Sequence, residues 1–122
     1  MSATTIRTPE QCAQAQLDAY NARNIDAFAE VYTDDVQLID LASGEVFCDG
    51  QGALVDRYGP MFDSHPDLNC KLVSRIVCGD FVYDEEHVTG LQENTIVHAV
   101  ATYQVANGKI MKAWFARERA GA

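Results

Sequence analysis

Up to Phe62 the apolar residues fall mainly at helical spacing, broken by one short alternating stretch; from Leu68 onward they alternate in twos. Helical spacing marks one face of an α-helix and alternation marks a strand with one buried face. Thr8-Pro9-Glu10-Gln11 starts the first helix: threonine caps, proline fits the first turn and Gln11 completes a capping box. Ala13, Leu17 and Tyr20 carry its buried face to about Asn21 or Arg23. Asn24 caps a second, short helix with Ile25, Phe28 and Tyr32 on one side. A strand over about 36–41 follows, then a turn at Ser43-Gly44-Glu45 and a short arm, Val46-Phe47-Cys48. Asp49-Gly50-Gln51-Gly52 leads into a third helix bearing Leu54, Tyr58, Met61 and Phe62, and Gly59-Pro60 leaves its far end open. Long strands are expected over about 68–78, 81–89, 95–106 and 109–118, with a tight turn at Cys78-Gly79-Asp80 and a hairpin at Asn107-Gly108. Helices first and antiparallel strands after them make an α+β domain over 9–118, flanked by tails at 1–8 and 119–122. A long bent sheet wrapped on helices leaves room for a pocket between them.

The short strand carries the residue of most chemical interest. Val36, Leu38 and Asp40 share one face, so Asp40 either joins an apolar interior or lies at the strand end facing water. In the first case lost hydration raises its pKa toward neutrality, as a proton-shuttling group requires.

Composition narrows the partners. The chain has 122 residues, 48% apolar and 22% charged, as an ordinary folded domain does. Its formal charge of −9, from 18 acidic and 9 basic residues, disfavours nucleic acid and anionic membrane. Cys12, Cys48, Cys70 and Cys78 form no metal-binding or redox spacing and are expected as buried free thiols in a reducing cytoplasm. No cofactor or metal is implied, and neither a signal core nor a membrane-length apolar run is present.

Tyr20-Asn21-Ala22-Arg23-Asn24-Ile25-Asp26-Ala27-Phe28, then Tyr32-Thr33-Asp34-Asp35-Val36, resembles the NTF2-like superfamily, in its SnoaL-like and ketosteroid-isomerase-like branch. Gly50-Gln51-Gly52, Asn107-Gly108-Lys109-Ile110 and Trp114 extend the resemblance over roughly 9–118. It implies a cone: a curved mixed sheet closed by three helices around an apolar pocket, commonly paired into homodimers through the outer sheet face. In the isomerases a first-strand aspartate moves a proton alpha to a carbonyl, and Asp40 falls on that position. Tyr32 and Tyr58 match tyrosines of the pocket network. The oxyanion tyrosine aligns with Gln16, and the protonated aspartate that assists it aligns with Ala101, so both differ from that pattern.

The remaining candidates rest on strand phase. Val97, Ala99, Ala101 and Tyr103 facing inward turn His98 outward; the other register puts His98 in the pocket with Ile96 and Val100. Asp84, Glu85, Glu86 and His87 are expected on a solvated sheet face, with Glu86 as an alternative pocket carboxylate because two valines flank its face. By the alignment Phe115 and Arg117 line the cone and Trp114 packs outside. Arg117 either holds an acidic group at the mouth or is a surface residue. His65, beside Pro66, is expected at the surface.

The expected function is acid–base chemistry on a small apolar carbonyl compound, isomerase- or cyclase-like. Asp40 is the expected base, with Tyr58, Tyr32 and Gln16 orienting it or stabilising an oxyanion. Phe115, Tyr103, Ala101, Tyr20, Glu86 and Arg117 are expected around the substrate. The rival is a binding or dimerisation module without turnover. Valines and isoleucines on both faces of the late strands, with Trp114, predict a sheet-to-sheet homodimer.

Overall fold

Thr8 caps as its position predicts: its hydroxyl accepts from the Gln11 amide at 3.2 Å while the Gln11 side chain accepts from the Thr8 amide at 2.9 Å. The computed structural model describes residues 6–120, and α1 (Pro9–Ala22) grows from that box. It stops where Arg23 turns left-handed, at φ 52°. Asn24 caps α2 (Ile25–Glu30) by accepting from the Ala27 amide at 3.1 Å. Tyr32, expected on that helix, instead opens β1 (Tyr32–Asp40). After β2 (Val46–Asp49) comes α3 (Gln51–Ser64), which runs through Pro60. The chain then folds as β3 (Asn69–Cys78), β4 (Phe81–Thr89), β5 (Ile96–Ala106) and β6 (Lys109–Ala120). Of the two expected tails, residues 1–5 and 121–122 lie outside the described residues; Arg7 pairs with Glu30 at 2.9 Å and β6 continues past 118.

The sheet order is β2-β1-β6-β5-β4-β3, curved and open. The β1–β6 pair is parallel and every other pair antiparallel, so the sheet is mixed. Asn107 and Gly108, at φ 53° and 78°, turn β5 into β6 as the sequence predicts, since both positions need a left-handed backbone. The helices cover one face. Phe28 stands at the centre of their contact, its ring 5.0 Å from Tyr32, 5.1 Å from Tyr58 and 5.5 Å from Phe62. Asn21 ties α1 to the start of β3, accepting from the Cys70 amide at 2.7 Å and donating to its carbonyl at 2.9 Å.

The phase of β3 differs from simple alternation. A bulge between Leu72 and Ser74 reverses the faces, so Arg75 lands opposite Asp84 and Ile76 opposite Tyr83. Ile76, grouped by strict alternation with Leu68, Cys70 and Leu72, is therefore 64% exposed on the outer face. Asp84 and Glu86 correct the expectation of a solvated acidic face: both point inward with Val82 and Val88. Asp84 is fully enclosed, and Arg75 meets it with two hydrogen bonds of 2.7 and 2.9 Å. Cys12, Cys48 and Cys70 are buried, Cys78 is exposed, and all four are free. His65 is half-buried and donates from Nδ1 to the Met61 carbonyl at 2.8 Å. Among the described residues no helix is long and apolar enough to cross a membrane.

Candidate functional site

A cavity of about 370 Å³ lies between the helices and the inner face of the sheet. Among the described residues β4 supplies the one carboxylate of its lining: Glu86 lines the wall and is only 6% exposed. Alternation aims Glu86 inward, and Leu72 and Ala99, its neighbours across the sheet, offer it no cation. Burial therefore dominates, the Asp84 charge adds to it, and the Glu86 pKa is pushed up to about 7. A hydrogen bond from Cys70 and the positive charges of Arg75 and Arg117 work in the opposite direction.

Tyr20, Tyr32, Tyr58 and Tyr103 share that wall. Burial raises all four phenols above their usual range, so they stay neutral O–H donors at physiological pH. The Glu86 charge raises Tyr20, Tyr32 and Tyr103 further. Gln16 also lines the cavity: its amide donates to the Ala13 carbonyl at 3.0 Å and its oxygen faces the Tyr32 hydroxyl at 3.5 Å, a long contact. One amide N–H of Gln16 is held by the Ala13 carbonyl; its second N–H has no part in that bond. Phe115 and Arg117 line the cavity near Phe47.

Two expected site residues stand elsewhere. Ala101 faces inward but is fully enclosed between its neighbours Asp84 and Phe115, away from the cavity wall. Asp40 is at the end of β1 outside the cavity, where its carboxylate accepts from the Ser43 amide at 2.9 Å and the Ser43 hydroxyl at 2.8 Å. Those bonds hold its pKa below the usual carboxylate value, the reverse of the shift expected for a buried base. Asp-Leu-Ala-Ser is a turn signature, and it was the signal for this role.

His98 faces outward, as the small residues around it predict, with Nε2 2.8 Å from Glu85 and Nδ1 3.0 Å from Glu118. Among the described residues no three His, Cys, Asp or Glu side chains converge to hold a metal ion. Arg57 was not singled out from the sequence, yet it lines the mouth from α3 with its guanidinium 4.7 Å from the centre of the Phe47 ring. No spacing rule marks it, because its role depends on β2 crossing in front of it.

Three helices against a curved mixed sheet, with a cavity between them, define the NTF2-like class of protein. The SnoaL-like domain family model matches residues 13–113, and the chain belongs to that family. An uncharacterized cystatin-fold protein from Novosphingobium aromaticivorans superposes with a TM-score of 0.83 at 24% identity, covering 91% of this chain and 99% of that one. A candidate ketosteroid isomerase from Kribbella flavida gives 0.77 at 16% identity, covering 99% and 85%. A candidate polyketide cyclase from Sinorhizobium meliloti gives 0.74 at 17% identity, covering 86% and 93%. At these identities the likeness establishes the fold. Curated protein sequences gave no match.

Proposed function

We propose that the cavity moves a proton on a small, largely apolar carbonyl compound, with Glu86 as the acid–base group. The observation that carries this is an enclosed carboxyl with a pKa of about 7 in a wall of neutral phenols. As carboxylate, Glu86 takes a proton from the carbon alpha to the carbonyl; the C–H electron pair becomes the enolate double bond, and negative charge moves to the oxygen. A phenol O–H from Tyr20, Tyr32 or Tyr103 donates to that oxygen, a contribution that Ala101 does not make. Protonated Glu86 then returns the proton, at the same carbon or further along a conjugated system. A pKa near the working pH suits both halves of the cycle. The family, and the isomerase and cyclase names carried by fold neighbours, are consistent with this chemistry. Deuterium uptake by a panel of small ketones and enones, followed by NMR, tests it. Uptake that depends on Glu86 is expected. Binding without exchange across reactive ketones would favour the module without turnover.

The outer sheet face supports a second copy of the chain as partner. Val73, Ile76, Tyr83, Ile96 and Val100 are exposed there, and Trp114 is half-buried. A chain of net charge −9 leaves so apolar a face bare at a cost in solubility. An isologous pairing of sheets covers it. Light scattering at micromolar concentration is expected to give twice the 13.4 kDa chain mass; a mass of one chain, unchanged on concentration, contradicts the pairing.

A further inference from the structure

We infer that the mouth of the cavity is an anion subsite built from Arg57 and Arg117, so that the ligand is a small carbonyl compound carrying a carboxylate. This rests on the reading of the cavity as a carbonyl site and adds the chemistry of the ligand's outer end.

Both arginines line the cavity, from different elements, and both stand over the same ring. The guanidinium of Arg57 on α3 is 4.7 Å from the Phe47 centroid and that of Arg117 on β6 is 5.3 Å from it. Arg117 also lies 4.9 Å from the Phe115 centroid, and the two phenyl rings are 5.8 Å apart. Stacking on an aromatic face fixes the plane of a guanidinium and leaves its N–H edge free for a carboxylate.

The other arginines with described side chains are used differently. Arg7 pairs with Glu30, Arg75 with Asp84, and Arg23 donates to the Leu68 carbonyl. Among the described residues neither Arg57 nor Arg117 makes an ion pair, although the chain holds 18 acidic residues. Arg57 does hydrogen-bond with Tyr58. The charge of Arg117 reaches Glu86 inside the cavity and Asp40, which is already occupied by Ser43. Two like charges gathered on one ring repel each other until an anion shares them. A ligand with its carboxylate at this mouth points its apolar part and its carbonyl inward, toward Glu86 and the phenols. The cavity is at the small end of the usual range for ligand sites, which limits that ligand to a compact molecule.

The test is calorimetric titration of the full chain with a panel of benzoylalkanoates of increasing length, each paired with its methyl ester. At least one acid is expected to bind about tenfold more tightly than its ester, a preference of the size that charge-assisted hydrogen bonds supply. The preference should shrink with added salt. In Arg57→Gln/Arg117→Gln it should vanish while ester binding persists, and persistent ester binding shows that the variant is folded. A panel in which no acid outbinds its ester overturns the subsite on the unaltered chain alone, as does a preference that survives in the double variant. Glu86→Gln separates this proposal from the one beneath it. If that variant still exchanges deuterium, the assignment of Glu86 fails while the acid preference stands or falls on its own.

Discussion

Asp84 and Glu86 stand two residues apart on the same face of β4, both enclosed, in different surroundings. Arg75 reaches Asp84 with a two-pronged bond and is itself steadied by the Gln14 side chain at 3.0 Å. No described cation comes within ion-pair distance of Glu86, which faces open cavity and a thiol instead. Burial alone therefore does not make a carboxylate functional: a matched cation turns it into a structural anchor, and a missing one leaves it able to take up and release a proton near neutrality. The bulge in β3 creates the difference, because it turns Arg75 toward Asp84 while Leu72 remains opposite Glu86.

The largest effect expected from breaking this contrast is on turnover. Glu86→Gln keeps the volume and removes the titrating group, so deuterium exchange on a ketone substrate should fall by about 100- to 10,000-fold. Asp84→Asn should act on stability rather than on turnover. It leaves Arg75 without its counter-charge and should cost about 3–5 kcal/mol of stability by urea unfolding. Exchange per folded molecule should change far less than in Glu86→Gln.

Glu86 should also make stability depend on pH. The folded-state pKa of Glu86, about 7, lies above its ordinary value of 4.5, so the folded state holds the proton more tightly than the unfolded chain. The Glu86 contribution is then most favourable below pH 4.5 and declines by about 3 kcal/mol as pH rises through the window to about 7. Unfolding curves for the protein and for Glu86→Gln should diverge across that window, with the variant more stable at pH 8. Parallel curves would mean that Glu86 is solvated.

The smallest effect belongs to Asp40. Asp40→Asn loses part of the turn held by Ser43, with a small loss of stability by urea unfolding, and should leave exchange unchanged. A loss of exchange comparable to that of Glu86→Gln would return the base to β1.

The contrast between these carboxylates also marks how much the sequence discloses. The capping box at Thr8, the Asn24 cap, the Asn107-Gly108 hairpin and the inward row on β5 follow local rules, and the structure has each of them. The resemblance to the SnoaL-like branch and the NTF2-like cone hold as well. Glu86 was visible as a carboxylate between valines, but strand phase does not disclose whether a cation waits across the sheet. The Arg75–Asp84 pair required knowing the β3 bulge, which no residue type announces. Asp40 had the right phase with Val36 and Leu38, but its nearest donors lie three residues ahead in the turn. Arg57 and Phe47 meet only through the packing of α3 against β2.

The protonation state of Glu86 itself is the direct test. Side-chain carboxyl carbons labelled with carbon-13 and followed by NMR from pH 3 to pH 9 report each carboxylate separately, and Glu86→Gln identifies the resonance by its loss. The account predicts a Glu86 midpoint near 7; a midpoint at the ordinary glutamate value of 4.5 would contradict it.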